Sequence, residues 1–324
     1  MNKPPLVSLI IPTLNEEKNI GRCLRSILGQ TYKNIEIIVV DNNSTDKTRE
    51  IVETFKLQTS NPPTSRRTSL KHHPSNISHQ TSDFLLQTSN IKLLASRILH
   101  PTSNIKLFTH GPERSAQRNY GIKKAKGEYI LFLDADMSLS RDVVRDCVRK
   151  FTGSRVNELV GLYIPEKIIG DSYWCKVRNF ERSFYDATVI DCVRFFPKKI
   201  WQEVGGFDET LTGPEDWDFD KKVRSRGKVG IIKSPLYHNE ANFNLKDYLE
   251  GKSYYTKSID RYIKKWGGND PNVKKQLGFS YRFIGVFIEN GKWRKLLAHP
   301  ILTLGVYFLR GMVGVFYLIN KKYI

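Results

Sequence analysis

The stretch YILFLDADM, residues 129–137, carries an apolar run straight into two carboxylates. Tyr129 to Leu133 reads as a short buried strand. In an extended chain residues two apart point the same way, so Asp134 and Asp136 share a face and Ala135 turns away. Two like charges held this close repel unless something positive sits beside them. A divalent cation is the usual answer. Magnesium takes one or two carboxylates and completes its shell with water and phosphate oxygens. The same aspartates also suit a plainer role, capping the turn or helix after the strand.

Upstream of this stretch strands and helices alternate. Leu6 to Ile11 is a strand ended by Pro12. Asn15 is placed to cap a helix whose apolar positions Ile20, Leu24, Ile27 and Leu28 recur at helical spacing, with Glu16 and Glu17 in its first turn. Ile35 to Val40 is a second buried strand, ending at Asp41, and Ser44 is placed to cap a helix carrying Ile51, Val52 and Phe55. Buried strands alternating with amphipathic helices indicate an α/β layer with a mostly parallel sheet. Ligands bind beyond the carboxyl ends of such strands, where Asp41 and Asp134 both fall. Downstream, Val143, Val144, Cys147, Val148 and Phe151 mark one side of a helix. Tyr173, Val177, Phe180 and Phe184 form another stripe, of core character rather than an acceptor groove.

The 324 residues are enough for one large or two ordinary domains, and 40% hydrophobic content with 11% aromatics is that of a folded chain. Lys and Arg outnumber Asp and Glu 52 to 33, a formal charge of +19 that favours anionic partners. The cysteines (Cys23, Cys147, Cys175, Cys192) have no paired spacing and are expected to be reduced thiols. The apolar run near the N-terminus is too short for a secretory signal. Residues 57–104 differ in composition: FKLQTSN at 55–61 returns as FLLQTSN at 84–90, and TSNIKL at 88–93 returns at 102–107. We read this stretch as a low-complexity insertion outside the core. Its histidines, His72, His73, His79 and His100, fit no metal-ligand spacing. The segment 301–319, ILTLGVYFLRGMVGVFYLI, is apolar with basic flanks and Arg310 in its middle. A spanning helix, an in-plane or re-entrant helix and a buried hairpin all fit this pattern; the in-plane or re-entrant helix on the cytoplasmic side of a membrane is favoured, because there Arg310 can snorkel to the headgroups. The expected organisation is therefore a domain over 1–245, interrupted by the insertion, and a helical, membrane-associating region over 246–324.

Four clusters need a common explanation: PTLNEE at 12–17, DNNSTD at 41–46, the aspartate pair, and PED at 214–216. In order, and with AQRNYG at 116–121 and GGFDETLTGPEDWD at 205–218, they resemble the inverting glycosyltransferases of family 2 over roughly residues 5–56 and 105–240. The resemblance implies a GT-A fold, in which a Rossmann-like, mostly parallel sheet flanked by helices meets an acceptor half, here with a helical, apolar C-terminal extension. It implies a nucleotide-sugar donor (a UDP-sugar favoured, a GDP-sugar the alternative), a lipid-linked or glycan acceptor, a membrane surface as partner, and Mg2+ or Mn2+ as cofactor. Pro12, Thr13, Asn15 and Glu16 would line the nucleoside pocket, and Asp41 would accept a hydrogen bond from the base. Arg114 and Arg118 would face the diphosphate. Asp136 would hold the metal, with Asp134 toward the ribose or bound through water, and His238 would complete the metal site. Asp216 matches the catalytic base, with Glu215 and Asp218 as close competitors. Two other readings stay open here. A strand followed by DxD also opens haloacid-dehalogenase-type phosphatases, with Asp134 as nucleophile, although there the motif lies near the domain's start. A basic nucleic-acid-binding protein would account for the charge, although it leaves the acidic strand ends unexplained.

Overall fold

The computed structural model describes residues 3–60, 104–153, 159–241, 243–254 and 257–320. The insertion proposed from the sequence lies almost wholly outside them, as do its four histidines. Its limits shift inward, because the helix before it runs to Ser60 and the strand after it starts at Asn104.

A seven-stranded sheet organises the described residues. It comprises β1 (Val7–Thr13), β2 (Ile35–Asp41), β3 (Asn104–Thr109), β4 (Tyr129–Phe132), β6 (Leu159–Tyr163), β8 (Phe195–Pro197) and β9 (Lys228–Ile231), in the order β3-β2-β1-β4-β8-β6-β9. Only β8 runs against its neighbours. The central strands are apolar on both faces because both are covered. On one face Leu9, Ile37 and Leu131 meet Ile20, Leu24, Val52 and Val144, from helices α1 (Ile20–Leu28), α2 (Thr48–Ser60) and α4 (Val143–Gly153). On the other, Ile10, Ile38 and Phe132 meet Ile122 of α3 (Arg114–Lys124) and Phe219 and Val223 of α7 (Glu215–Arg224), with α6 (Lys198–Glu203) nearby. The cysteines are buried and unpaired.

Pro12 does not end β1. Pairing with β4 stops at Ile10, so the missing N–H of Pro12 falls where β1 has become an edge on that side. Gly121 brings α3 close to the sheet: a Cβ there would lie 2.6 Å from Ile10 Cγ2. That approach lets Gln117 donate to the carbonyls of Thr13 and Val40 at 2.9 and 2.6 Å, tying α3 to the strand ends.

A second sheet holds β5 (Met137–Leu139), β7 (Glu166–Ile169) and β10 (Leu236–Asn239), in the order β5-β10-β7. It sets His238 opposite Met137, directly after the aspartate pair. Beyond it come α5 (Tyr173–Arg182), α8 (Leu245–Tyr254), α9 (Ile259–Trp266), α10 (Pro271–Leu277), α11 (Val286–Ile288), α12 (Trp293–Ala298) and α13 (Pro300–Asn320). The stripe Val177, Phe180 and Phe184 is core, packed on Phe287, Val306 and Leu309, whereas Tyr173 is exposed. Gly305 allows α13 to close on α5, since a Cβ there would meet Val177 at 2.6 Å.

Among the described residues no helix is long and apolar enough to cross a membrane. Arg310 does not snorkel outward. It is buried against α5, donating to Glu181 Oε1 at 2.9 Å and to the Tyr185 hydroxyl. The charge turns inward because Glu181, itself buried, supplies a partner that headgroups would otherwise have to provide.

Candidate active site

A cleft of about 1060 Å3 opens at the carboxyl ends of β1 and β4 and continues toward the C-terminal helices. Pro12, Thr13, Glu16, Arg114, Asp134, Asp136, Asp216 and His238 all line it.

The aspartate pair is not extended. The Met137 N–H donates to the Asp134 carbonyl at 3.0 Å, so the two carboxylates flank a turn and point to different partners. Asp134 accepts from Arg118 Nη2 at 2.7 Å, with Arg194 Nη1 at 3.8 Å. Burial pushes this carboxyl up, but the two guanidinium groups outweigh that and hold it below the usual carboxylate range. Asp136 Oδ2 lies 3.0 Å from His238 Nε2. The other ring nitrogen of His238 is 3.1 Å from Glu166 Oε1. Burial would lower the imidazole, yet its hydrogen bonds to Asp136 and Glu166 prevail and raise it well above its ordinary value. Glu16, on the opposite wall, is raised by burial and by the negative charges of Asp136 and Asp134.

Of the three acids in the GPEDWD segment, only Asp216 faces the cleft. Its Oδ1 accepts from Arg118 Nη1 at 2.6 Å, and its side chain is 25% exposed. Glu215 is buried and pairs with Arg114 at 3.1 Å; burial and the neighbouring Asp216 raise its carboxyl. Asp218 is wholly buried, accepting from Trp266 Nε1 at 2.8 Å beside Lys265 and Lys222. The acids occupy the first turn of α7 and Lys221, Lys222 and Arg224 the last, which matches the helix dipole.

Several expectations need correction. Arg118 does not face open space. Its side chain is 0% exposed, and it bridges Asp134 and Asp216 while lying 4.5 Å over the Phe132 ring. The carboxylates take Nη1 and Nη2, Nε is buried without a hydrogen-bond partner among the described residues, and Arg118 does not line the cleft. Asn15 does not cap α1, which begins at Ile20 with no acidic residue in its first turn. It takes a left-handed conformation (φ 55°) and accepts from Thr45 N at 2.9 Å, joining the loops after β1 and β2. Ser44 does not cap α2; its N–H and hydroxyl both donate to Asp41. Asp41 does not line the cleft. Its carboxylate is enclosed, accepting also from Thr13 Oγ1 and Arg49 Nη1, each at 3.1 Å.

Glu166, Arg182 and Arg194 line the cleft and were missed in the sequence. Arg182 lies 3.0 Å from Glu166, and Arg194 lies 3.6 Å from it. Nε and Nη1 of Arg194 are buried with no hydrogen-bond partner among the described residues. The available signal was an arginine set directly before the apolar pair Phe195-Phe196, a charge at a strand entrance.

The side chains fit a divalent cation that draws much of its shell from a substrate. Asp136 Oδ1 is buried with no hydrogen-bond partner among the described residues, and Glu166 leaves His238 Nε2 as the ligand atom. Among the described residues no group of three or more His, Cys, Asp or Glu side chains is gathered to hold a metal without such help.

Residues 8–76 and 93–192, more than half of the chain, match the family described as Glycosyl transferase family 2. The chain belongs to that family. It is 46% identical over 234 residues to glycosyltransferase AglE of Haloferax volcanii, covering 69% of this chain and 62% of that protein. It is 24% identical over 284 residues to the dolichyl N-acetyl-alpha-D-glucosaminyl phosphate 3-beta-D-2,3-diacetamido-2,3-dideoxy-beta-D-glucuronosyltransferase of Methanococcus voltae, covering 80% of this chain and 70% of that one. Against four other curated relatives the chain spans between 20% and 60% of their length. The mannosyltransferase PcManGT of Pyrobaculum calidifontis, solved with GDP-Man and Mn2+, shares the fold: TM-score 0.56 at 18% identity, over 99% of this chain and 87% of that one. The GT-A arrangement expected from the motifs is therefore the one present, and neither the phosphatase nor the nucleic-acid reading is favoured.

Proposed function

We propose that this family 2 protein transfers a sugar, with inversion, from a nucleotide-sugar donor to a hydroxyl or phosphate oxygen of a lipid-linked or glycan acceptor. The observation that carries this reading is one cleft lined by Asp216, by Asp136 with His238, and by the end of β1. Thr13 and Glu16 line the nucleoside side, and Asp41 acts from behind by holding Thr13 in place. Arg114 and Arg194 face the diphosphate. Asp216, fixed by Arg118, takes the proton of an acceptor hydroxyl as that oxygen attacks the anomeric carbon; a phosphate oxygen, already ionised, would attack with no proton to give up. The bond from that carbon to the diphosphate breaks, and the nucleoside diphosphate leaves. A carboxylate suits this task because the acceptor becomes acidic only as the new bond develops. Asp136 and His238 would hold Mg2+ or Mn2+, which when bound neutralises charge on the leaving diphosphate. Asp134 is already engaged by Arg118 and Arg194 and serves to orient them.

The acceptor reading draws on the Methanococcus voltae relative, whose name places its acceptor on dolichyl phosphate. Attachment to the cytoplasmic face of a membrane fits the outer side of α13, where Ile301, Leu304, Phe308 and Val315 are exposed while Val306, Leu309 and Arg310 are buried. Arg294 and Lys295 beside it are exposed and suit anionic headgroups. A panel of UDP- and GDP-sugars, scored for nucleotide release with and without Mn2+, tests the function. Metal-dependent release from one donor, with product of inverted configuration, is expected; a retained configuration or release from none of them refutes the reading.

A further inference from the structure

The far end of the cleft differs in character from its donor end. Phe279, Phe283, Val313 and Phe316 line it, with the Phe279 and Phe283 rings stacked at 4.2 Å. Phe279 is 68% exposed, so this wall is not closed core. Two guanidinium groups stand within it, Arg282 and Arg310, whose Cζ atoms lie 6.0 and 5.9 Å from the Tyr185 ring. Arg310 is neutralised by Glu181. The Arg282 guanidinium has no ion pair or hydrogen bond among the described residues and is only half-buried. A cation with no carboxylate, set in an apolar wall, is complementary to an anion that carries an apolar chain.

We infer that this end of the cleft is a subsite for the phosphate of a phosphorylated lipid acceptor, with Arg282 on the phosphate and Phe279, Phe283 and Val313 along the chain. The inference rests on the transferase reading and names the acceptor class for it. The aromatic wall accepts isoprenoid or acyl chain, and the guanidinium fork supplies paired donors that a phosphate oxygen pair accepts. The subsite shares its cleft with Asp216, so a sugar carried on such a lipid would reach the base without leaving the groove.

Farnesyl phosphate is the probe, with farnesol and inorganic phosphate as its two halves, and binding to the full chain is followed calorimetrically in detergent. Wild type should bind farnesyl phosphate at least about tenfold more tightly than farnesol, the worth of a charge-assisted bond. Arg282→Ala should lose that preference, Arg282→Lys should recover part of it, and Phe279→Ser with Phe283→Ser should weaken farnesyl phosphate and farnesol alike. Equal binding of farnesyl phosphate and farnesol by wild type overturns the inference, as does a preference undiminished in a folded Arg282→Ala protein. UDP and GDP binding on the same samples separates the two readings. Nucleotide bound without any preference for farnesyl phosphate overturns this inference alone. No nucleotide bound overturns the donor reading, and the farnesyl phosphate comparison still decides this one.

Discussion

Replacing Arg118 by methionine removes the side chain that, among the described residues, hydrogen-bonds both Asp134 and Asp216. Its two hydrogen bonds, at 2.7 and 2.6 Å, are charge-assisted, and the guanidinium is fully buried. Breaking one side of a buried ion pair costs about 3–5 kcal/mol, because the orphaned charge remains. Both carboxylates keep a partly open side, 18% and 25% exposed, and Asp134 retains Arg194 at 3.8 Å. The lower end, about 3 kcal/mol, is therefore expected. Lysine should not rescue, since a single ammonium point cannot match the two-sided fork. Urea unfolding of Arg118→Met, Asp216→Asn and the double variant gives the coupling directly, and the double variant should recover about 1–2 kcal/mol relative to the sum of the singles. Turnover of Arg118→Met should fall about a hundredfold through misplacement of Asp216 alone. A loss of stability below about 1 kcal/mol, with additive behaviour, would refute the bridging role.

Other consequences follow from the same contacts. Asp220 is buried beside Arg224 at 2.7 Å, and burial pushes its carboxyl up to about 6. A raised folded value means the native state holds the proton more tightly, so this contribution to stability is largest below about pH 4 and falls as pH rises through about 6. Asp220→Asn should flatten the thermal midpoint over that window, and an unchanged wild-type slope would count against it. Ile301→Ser with Leu304→Ser, the two most exposed apolar side chains of α13 among the described residues, should reduce sedimentation with phosphatidylserine vesicles without lowering the thermal midpoint; unchanged binding would remove α13 from the membrane contact. Replacing residues 61–103 by a short Gly/Ser linker should preserve folding and donor binding, and loss of either would make the segment part of the working domain.

The sheet's centre was legible because β1, β2 and β4 are apolar on both faces and each ends at a polar cluster. β8 escaped notice because three residues show no period, and its antiparallel pairing is a tertiary choice. Local capping rules misassigned Asn15 and Ser44, since both are drawn to partners across two loops rather than to the helices that follow them. In the site, Asp134, Asp136 and Asp216 could be picked out from motif order and His238 from the family resemblance, and the fold brings all of them to one cleft. Arg118 reads from the sequence as a ligand contact because its carboxylate partners lie 98 and 16 residues away along the chain. Glu166 and Arg194 carry no motif. They join the site only when β7 and β8 fold against strands distant in sequence.

The central claim is that Asp216 is the base of a transfer from a nucleotide sugar. Single-turnover transfer and donor binding, measured side by side for wild type and Asp216→Asn, test it most directly. The account predicts a rate lower by about two to four decades with donor affinity within about twofold. Transfer at the wild-type rate in the folded variant would contradict it.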